Sequence, residues 1–462
     1  MHSDYQDTIV ALATPPGVGA IGVIRISGQQ AISCVQDFFR GKDLNNVTSH
    51  TAHFGRLVNE DGQIIDEVLL TVFRGPRSYT GENTIEISCH GSPYILQEVI
   101  RLLTSNEQVR IANPGEFTLR AFMNGKLDLT QAEAVADLIA SSSEKSHELA
   151  MQQLRGGFAK KLSDLRQELI HFASLIELEL DFSEEDVEFA DRSQLNALIL
   201  NIQRTIHPIM ESFKYGNAIK QGINTVLAGR PNAGKSTLLN ALLNEERAIV
   251  SDIAGTTRDT IEERLVIDGV EFRLIDTAGI RDATDAIEAI GVAKTMEKIE
   301  QSAVLLYLFD VTALDVATVH EDVDKLQREG LELIVIANKM DLDPYLKPES
   351  FYNDYIHKDN LITTSAINQM NIDYLKTKLY QLGIKGKAQT DAVIITNSRH
   401  YKALAETSDA LQRAKDNLDQ GLSGDLVAMD IRRALHFLGE ISGEVTTDDL
   451  LENIFSKFCI GK

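Results

Sequence analysis

Cysteine is scarce in this sequence, and long apolar runs are missing. The chain has 462 residues but only three cysteines, Cys34, Cys89 and Cys459, which are odd in number and widely spaced. This pattern argues against a disulfide framework and against a zinc site, and it fits a reducing compartment. No apolar run is long enough to cross a bilayer, and no charged-then-apolar leader is visible. We therefore expect a cytoplasmic protein without a membrane partner.

Positive charge is also in short supply. The sequence has 45 Lys and Arg residues against 68 Asp and Glu residues, for a formal net charge of −23. Such an excess argues against broad electrostatic attraction to nucleic acid, although a local basic patch can still hold RNA. Composition alone would therefore rank RNA low as a partner. The length is sufficient for roughly three domains.

The pattern of apolar residues divides the chain into four segments. Short runs rich in β-branched residues, such as "IGVIRISG" and "NTIEISC", predict an α+β domain with one good helix near 93–104. Apolar steps of three and four residues then predict helices, and a later alternation of strands and helices predicts a doubly wound parallel sheet. We expect an inserted α/β domain between two halves of one all-α domain. The predicted segments are 1–121 (α+β), 122–218 (helical), 219–384 (α/β) and 385–462 (helical).

The α/β segment carries the motifs of a GTP site. "GRPNAGKS" follows a predicted strand and opens a helix, where glycines allow backbone N–H groups to face phosphates, Lys235 supplies charge and Ser236 can bind Mg²⁺. "DTAG" at 276–279 ends the next apolar strand, so that Asp276 can hold the metal through water. Asp341 in "NKMD" can accept two hydrogen bonds from guanine, which adenine does not offer. "SA" at 365–366 is a weaker signal for a further loop near the base.

Each of these pieces has a plainer structural interpretation. Gly-rich turns often only turn, and Asn-Lys and Asp-Gly pairs often cap helices. Because the pieces occur in the right order and at strand ends, that interpretation is disfavoured. Ras-like GTPases carry a glutamine after D-x-x-G to orient water, but this sequence has Ile280 there, so another group must arrange the water.

Several further stretches stand beside these motifs. They are "TPPG", "IRISG", "SYTGENTIEISCHG" at 78–91, "NPGEFTLRAFMNGKLDLTQAEAVADLI" at 113–139, "DIAGTTRD" at 252–259 and the terminal "CIGK". Together they resemble one family across the whole chain, the MnmE (TrmE) family of tRNA modification GTPases. The resemblance implies a folate-binding N-terminal domain that forms a homodimer, a helical domain from two chain segments, and an inserted P-loop GTPase domain. It also implies a heterotetramer with the flavoprotein MnmG. That complex uses the one-carbon unit of a tetrahydrofolate to add an aminomethyl or carboxymethylaminomethyl group to C5 of the wobble uridine of certain tRNAs.

The resemblance assigns roles around the nucleotide. Asn232 and backbone oxygens of Ser251, Ile253 and Thr256 would bind K⁺, which can neutralise charge as an arginine finger does elsewhere. Ser236 and Thr257 would bind Mg²⁺, and Glu288 would orient the water through a bridging water once two GTPase domains meet. Taken alone, Glu288 reads as a solvated helix-end acid and Asn232 as a polar loop residue. The predicted GTP contacts are Asn232, Ala233, Gly234, Lys235, Ser236, Thr237, Ser251, Asp252, Ile253, Ala254, Gly255, Thr256, Thr257, Asp276, Thr277, Ala278, Gly279, Asn338, Lys339, Asp341, Ser365 and Ala366.

The resemblance also places a 5-formyl- or methylene-tetrahydrofolate in the N-terminal domain. Its contacts map to Arg25, Glu82, Lys126 and Lys462. The amide and amino edge of a pterin suits the carboxylate of Glu82, and a glutamate tail suits Arg and Lys. Without the family, Arg25 and Glu82 would be unremarkable surface charges.

The tail "SKFCIGK" raises separate alternatives. The sequence argues against a prenylated ending, because Gly and Lys stand where an aliphatic residue and a suitable last residue are required, and the preceding stretch is acidic. Cys459 is either a catalytic thiol for the one-carbon chemistry or a buried cysteine beside Phe455 and Phe458. The other residues predicted to be catalytic are Glu288 and Thr257. We expect the tail to reach the folate site, with Gly461 permitting close approach.

Two other functions share the nucleotide motifs. A regulatory GTPase in ribosome assembly or membrane trafficking would not need the N-terminal 120 residues or the tail. A P-loop scaffold without turnover is disfavoured by the presence of Lys235, Thr257, Asp276 and Glu288. The sequence leaves open which tRNAs and which amine are used, and which residues contact tRNA and MnmG.

Overall fold

The structure is a computed structural model that describes residues 7–181, 191–243, 262–276, 302–384 and 393–462. The chain divides into two units. The first comprises Met1–Ala136, Gln152–Leu195 and Ala410–Lys462, and the second comprises Asp137–Met151 and Asn196–Asp409. The four segment boundaries predicted from the sequence stay predictions.

The first unit contains a seven-stranded sheet. Its strand order is β3-β4-β5-β6-β2-β1-β7, and only the β1–β7 pair is parallel among the described pairs. The β-branched stretches "IGVIRISG" and "NTIEISC" that predicted strands both lie in this sheet, as expected for side chains that pack well on a pleated surface. The strands are β1 (Thr8–Leu12), β2 (Ile21–Ser27), β3 (Phe39–Arg40), β4 (Thr51–Val58), β5 (Ile64–Phe73), β6 (Thr84–His90) and β7 (Val109–Ile111).

Three helices accompany this sheet, and the sequence predicted only one of them. The predicted helix is α2 (Pro93–Thr104), and the others are α1 (Ala31–Phe38) and α3 (Glu116–Met123). The expectation of one good helix was therefore wrong. Both missed helices have only eight residues, and in α1 the apolar residues Ala31, Ile32, Cys34 and Val35 are all buried. A helix of two turns with a nearly continuous apolar run cannot be told from a strand by periodicity.

The first unit also contains helices from both flanks of the inserted segment. α6 (Gly157–Asp181) packs against α13 (Gly424–Ser442). Arg432 Nε donates to Glu177 at 2.7 Å, and Arg166 Nε donates to the carbonyl of Leu435 at 3.2 Å. The prediction of a helical domain built from two chain segments is thereby confirmed.

The second unit contains a six-stranded sheet in the order β13-β12-β11-β8-β10-β9. All neighbours are parallel except β9, which pairs antiparallel with β10 at the edge of the sheet. The predicted α/β fold is confirmed, with this antiparallel edge strand as a correction to the purely parallel sheet. The strands are β8 (Ile223–Ala228), β9 (Glu262–Ile267), β10 (Val270–Asp276), β11 (Val304–Asp310), β12 (Glu332–Asn338) and β13 (Leu361–Thr363).

Buried aliphatic side chains form a core on each face of this sheet. The central strands β11 and β12 are apolar almost throughout because both faces are covered. The remaining helices of the chain are α4 (Leu129–Ala140), α5 (Glu144–Leu154), α7 (Arg192–Glu211), α8 (Phe213–Gln221), α9 (Lys235–Leu243), α10 (Val316–Leu326), α11 (Ile372–Gly383), α12 (Ser398–Asp419) and α14 (Asp448–Phe455). None of the helices in the described residues is long and apolar enough to span a membrane.

Candidate functional site

The phosphate-binding loop joins the end of β8 to the start of α9. Asn232 and Gly234 have positive φ values of 64° and 99°, so the backbone curls before the first turn of the helix. A Cβ atom on Gly234 would lie 2.4 Å from Nδ2 of Asn338, so the position excludes any side chain. The exposed Asn232, Ser236 and Thr237 line this loop and the helix start. Together, the curled loop and the helix N-terminus form a cradle of backbone N–H groups that suits phosphate.

Asn338 connects three of the motifs predicted from the sequence. Its side chain is buried, and Nδ2 donates to the carbonyl of Ala233 in the phosphate-binding loop at 2.9 Å. Its Oδ1 accepts from the backbone N–H of Ala366 at 3.1 Å and from the hydroxyl of Thr364 at 3.3 Å. The phosphate-binding loop, the end of β12 and the loop at 364–366 are therefore held together by one amide.

Asp341 lies beside this junction with an exposed side chain. The hydroxyl of Ser365 donates a hydrogen bond to Asp341 Oδ1 at 2.6 Å, so the weak "SA" signal marks a residue in contact with the carboxylate that is predicted to bind guanine. A carboxylate can accept about four hydrogen bonds in total. Asp341 thus retains the capacity to accept the two parallel N–H groups of a guanine edge.

Two carboxylates that the sequence reasoning missed anchor this site. Asp310, at the end of β11, lies opposite Asn338 in the strand register and binds Lys339 Nζ at 2.6 Å. Asp322 on α10 accepts two hydrogen bonds from Arg230 of the phosphate-binding loop, at 2.8 and 3.0 Å. The signal for Asp310 was available, since a carboxylate that ends a parallel strand between two motif-bearing strands lies at the same sheet edge as they do.

Both anchors are ionised more readily than ordinary aspartates. Burial alone would raise the pKa of Asp310, but the hydrogen bonds from Lys339 and Thr312 outweigh it and hold that pKa below its usual value. Burial likewise opposes ionisation of Asp322, and Arg230 and Tyr307 outweigh it, so the pKa of Asp322 is also lowered. Charged partners therefore remain fixed beside the loop at neutral pH.

Part of the predicted nucleotide site lies outside the described residues. This applies to the predicted residues from Ser251 to Thr257, to Thr277, Ala278 and Gly279, and to Glu288. For Asp276 only the backbone is described, at the end of β10 and opposite Leu227 of β8. The predicted K⁺ and Mg²⁺ ligands in these segments, and the catalytic role of Glu288, stay predictions.

The residues predicted to bind folate surround the loop at 76–84. The guanidinium of Arg25 lies 5.4 Å from the ring centroid of Tyr79, and its Nη2 donates to Glu86 at 2.8 Å. Lys126 Nζ donates to the carbonyl of Pro76 at 3.0 Å. Glu82, in the same loop, accepts from Ser27 at 2.7 Å and from Arg120 at 3.2 Å. Arg25, Glu82 and Lys126 are therefore all attached to one loop.

The tail follows α14 and lies against the start of α3. The carbonyl of Cys459 accepts from the N–H of Gly115 at 3.4 Å, and the main-chain oxygen of Lys462 accepts from the N–H of Phe117 at 3.1 Å. Gly461 has a φ of 95°, and a Cβ on it would lie 2.2 Å from the carbonyl oxygen of Leu12. Close approach through this glycine, as predicted, brings Lys462 beside Phe117, whose ring lies 5.6 Å from the Arg25 guanidinium.

The three cysteines differ in exposure. Cys459 is exposed, whereas Cys34 and Cys89 are buried. The alternative of a buried Cys459 packed beside Phe455 and Phe458 is therefore wrong. Those two rings do pack against each other, with their centroids 5.4 Å apart. Burial raises the pKa of Cys34 and that of Cys89 to about 11, which makes both thiols poor nucleophiles near neutral pH.

Comparison with known proteins gives a consistent result over the whole chain. Residues 8–126 match the family described as the N-terminus of the GTP-binding protein TrmE, and residues 129–459 match the MnmE helical domain. The chain is 51% identical over 460 residues to the tRNA modification GTPase MnmE of Cytophaga hutchinsonii, covering 100% of this chain and 99% of that protein. It is 52% identical over 469 residues to the protein of the same name from Flavobacterium johnsoniae, covering 99% of each.

Proposed function

The chain belongs to the MnmE family of tRNA modification GTPases, and from this premise we propose that its GTP hydrolysis drives the modification of tRNA at the wobble uridine. GTP is the nucleotide of the site described above. The observation that carries the proposal is the position of Asn338, which ties the phosphate-binding loop to the loop that carries Ser365 and Ala366. The site is thereby preorganised for a guanine nucleotide.

The proposed reaction adds an aminomethyl or carboxymethylaminomethyl group to C5 of the wobble uridine of certain tRNAs. A tetrahydrofolate supplies the one-carbon unit when bound. The proposed partners are a second copy of this chain and the flavoprotein MnmG, in a heterotetramer. Because the net charge is −23, tRNA binding requires local basic groups or the partner flavoprotein rather than an overall attractive field.

We assign the nucleotide chemistry to residues of the phosphate-binding loop and of the following segments. Lys235 places its charge beside the outer phosphates, and Ser236 with Thr257 would hold Mg²⁺. Asn232, exposed on the loop, would ligate K⁺ together with backbone oxygens of Ser251, Ile253 and Thr256. The amide oxygen of Asn232 suits a hard monovalent cation, which supplies positive charge where negative charge develops. Glu288 would orient the attacking water in place of the glutamine that Ile280 replaces.

We assign folate binding to Arg25, Glu82, Lys126 and the tail residue Lys462. The donors and acceptors present fit this ligand. Glu82 offers a partly exposed carboxylate with 20% side-chain exposure for the amide and amino edge of the pterin. Lys126 is exposed and offers an ammonium group for a glutamate carboxylate. The exposed thiol of Cys459 is available for a chemical step.

The proposal is tested by mass spectrometry of tRNA nucleosides from a strain that lacks this protein. We expect the C5-substituted wobble uridines to disappear, to return with the native chain, and to stay absent with Glu288→Ala. Normal wobble uridines combined with defective ribosome assembly would contradict the proposal and favour the regulatory GTPase.

A kinetic test addresses the K⁺ assignment separately. We expect GTP hydrolysis by the purified protein to be faster in K⁺ than in Na⁺ at equal ionic strength, and Asn232→Ala to remove most of that difference. Glu288→Ala should lower turnover strongly with little change in GTP affinity, because a group that acts in the transition state contributes little to ground-state binding. Equal native rates in the two salts would contradict the K⁺ assignment.

A further inference from the structure

Arg120 on α3 is almost completely buried, with 1% exposure, and is the largest such side chain among the described residues. Its Nη2 donates to Asp7 at 2.6 Å and to Glu116 at 2.9 Å. Its Nη1 donates to Glu82 at 3.2 Å. One guanidinium therefore contacts three carboxylates that come from different parts of the sequence.

A second arginine shares two of these carboxylates. Arg110 donates to Asp7 and makes a paired contact with Glu116 at 2.6 and 2.7 Å. Three carboxylates against two guanidinium groups leave one excess negative charge in this cluster. Glu116 is 1% exposed and contacts both arginines, whereas Glu82 is 20% exposed and contacts Arg120. The excess charge is therefore available to a ligand at Glu82 rather than at Glu116.

The other oxygen of Glu82 is held by a buried hydroxyl. Ser27 is 0% exposed and donates to Glu82 Oε2 at 2.7 Å. Ser27 Oγ also lies 2.7 Å from Oγ1 of the buried Thr80, which lies two residues before Glu82. Each oxygen of the Glu82 carboxylate thus has a donor on a rigid element, since Arg120 lies on α3 and Ser27 ends β2. The plane and the direction of the carboxylate are fixed by these contacts.

A buried cluster of charged side chains contributes little net stability to a fold. Removing charged groups from water carries a large desolvation penalty, and apolar residues of similar volume often stabilise a core as well or better. A buried arginine beside a partly exposed carboxylate has a clearer use when the carboxylate must keep one orientation for a ligand.

We propose that Arg120 and Ser27 are positioning residues that orient the Glu82 carboxylate to accept the amide N–H and the 2-amino group of a pterin ring. This inference rests on the proposed function, in which Glu82 contacts the pterin of a tetrahydrofolate. Neither positioning residue needs to touch the ligand. Their effect is on the geometry of two parallel hydrogen bonds, which weaken steeply when donor and acceptor are misaligned.

The experiment compares two ligands on the full chain by isothermal titration calorimetry. One is 5-formyl-tetrahydrofolate, and the other is its 2-desamino-2-methyl analogue, which lacks one of the two donors. The ratio of their dissociation constants reports the contact at the 2-amino group and is insensitive to a uniform loss of binding. Because a hydrogen bond to a charged group is strong, we expect a ratio of about tenfold or more for the native chain.

The variants separate positioning from general stability. Glu82→Gln should reduce the ratio strongly, because it removes the charged acceptor. Arg120→Met should reduce the ratio similarly while the analogue still binds, and Ser27→Ala should give a smaller reduction in the same direction. Arg110→Gln is the matched control, since it removes a guanidinium from the same cluster but not one that contacts Glu82, and its ratio should stay native.

The outcomes distinguish the inference from its premise. A ratio of dissociation constants near one for the native chain would overturn the assignment of Glu82 to the pterin, and the inference with it. A ratio for Glu82→Gln equal to that of the native chain would do the same. A reduced ratio in Glu82→Gln but a native ratio in both Arg120→Met and Ser27→Ala would overturn the positioning role alone. If Arg120→Met does not fold, Ser27→Ala decides, because it removes one hydroxyl and leaves every charge in place.

Discussion

At the scale of single residues, Asn338 and Asp341 have different roles although they belong to one motif. Asn338 is buried, and its side chain forms hydrogen bonds with main-chain groups of Ala233 and Ala366. Asp341 is exposed, and its Oδ1 accepts from the hydroxyl of Ser365 at 2.6 Å. The motif predicts Asp341 as the residue that accepts hydrogen bonds from guanine and Asn338 as a further nucleotide contact, and the structure adds that Asn338 holds two loops of the site together.

Replacing Asp341 by Asn should change base preference from guanine to xanthine. The amide cannot accept both guanine donors, but its NH₂ group can donate to the additional carbonyl oxygen of xanthine. We expect GTP affinity to fall on the order of 100-fold, since two hydrogen bonds to a charged group are affected, and XTP affinity to rise. Fluorescent-nucleotide competition measures both. Ser365→Ala is the control, which should weaken GTP binding modestly without any gain for XTP.

Thiol reactivity should separate Cys459 from the other two cysteines. Burial raises the pKa of Cys34 and of Cys89 to about 11, so their thiolate fractions near pH 8 are small. Cys459 is exposed. With substoichiometric iodoacetamide at pH 8, peptide mass spectrometry should find label at Cys459 first, and at the others only after unfolding. Early labelling of Cys34 or Cys89 in the folded protein would contradict this prediction.

At the scale of elements, the β-branched strands and the long helices were predictable, and the two-turn helices α1 and α3 were not. The repeat of Leu162, Leu165 and Leu169 predicted α6 because a stripe of several turns has no strand-like alternative. α1 and α3 have too few turns for that distinction. The antiparallel direction of β9 was missed although the sequence encodes it locally, because the two-residue turn Asp268-Gly269, with φ values of 49° and 78°, joins β9 to β10 as a hairpin. The contact between Arg120 and Glu82 joins positions 38 residues apart. No local pattern predicts such a contact, so the residues that contact Glu82 were missed.

The first turn of α3 should make the protein sensitive to acid. Burial opposes ionisation of Glu116, but hydrogen bonds from Arg110, the N–H of Asn113 and Arg120 outweigh it and lower its pKa. A carboxyl whose pKa is lower in the folded state contributes stability above its unfolded pKa of about 4.3, and this is lost as the pH falls through the folded pKa. We expect the free energy of unfolding to decrease below about pH 4.

Denaturant titrations of the native chain and of Glu116→Gln across this pH range measure the effect. The variant should be less stable at pH 7 by about 3 kcal/mol or more, because it removes the buried charge that both arginines contact. Its stability should also depend less on pH below 4, although Asp7 retains a lowered pKa of its own. Parallel pH profiles for the two proteins would exclude Glu116 as a source of the acid sensitivity.

The position where the tail packs closely against Leu12 should not tolerate a side chain at Gly461. A Cβ there would lie 2.2 Å from the carbonyl oxygen of Leu12, and the φ of 95° disfavours other residues. We expect Gly461→Ala to release the tail, which limited trypsin digestion detects as faster cleavage after Lys457. Ile460→Ala is the matched control, because Ile460 is 56% exposed and its substitution should be silent. Equal rates of cleavage for Gly461→Ala and the native protein would show that the packing around Gly461 accommodates a methyl group.

At the scale of the whole molecule, the tail and the nucleotide site belong to different units. The described contacts of Cys459, Gly461 and Lys462 are with Leu12, Ala13, Gly115 and Phe117 of the first unit. The phosphate-binding loop, Asn338 and Asp341 belong to the second unit. Loss of the tail should therefore affect the two proposed activities unequally.

Deleting residues 459–462 should leave K⁺-stimulated GTP hydrolysis within about twofold of native, because none of the residues that bind the nucleotide is touched, while wobble-uridine modification should be abolished. Hydrolysis is measured with the purified protein and modification by nucleoside mass spectrometry.

Two point variants then locate the cause. Lys462→Ala should weaken tetrahydrofolate binding, and Cys459→Ser should abolish modification with normal folate and GTP binding if the exposed thiol is chemical. Full modification by Cys459→Ser would leave the cysteine without a chemical role, and normal modification by the truncated chain would contradict any role for the tail in the folate site.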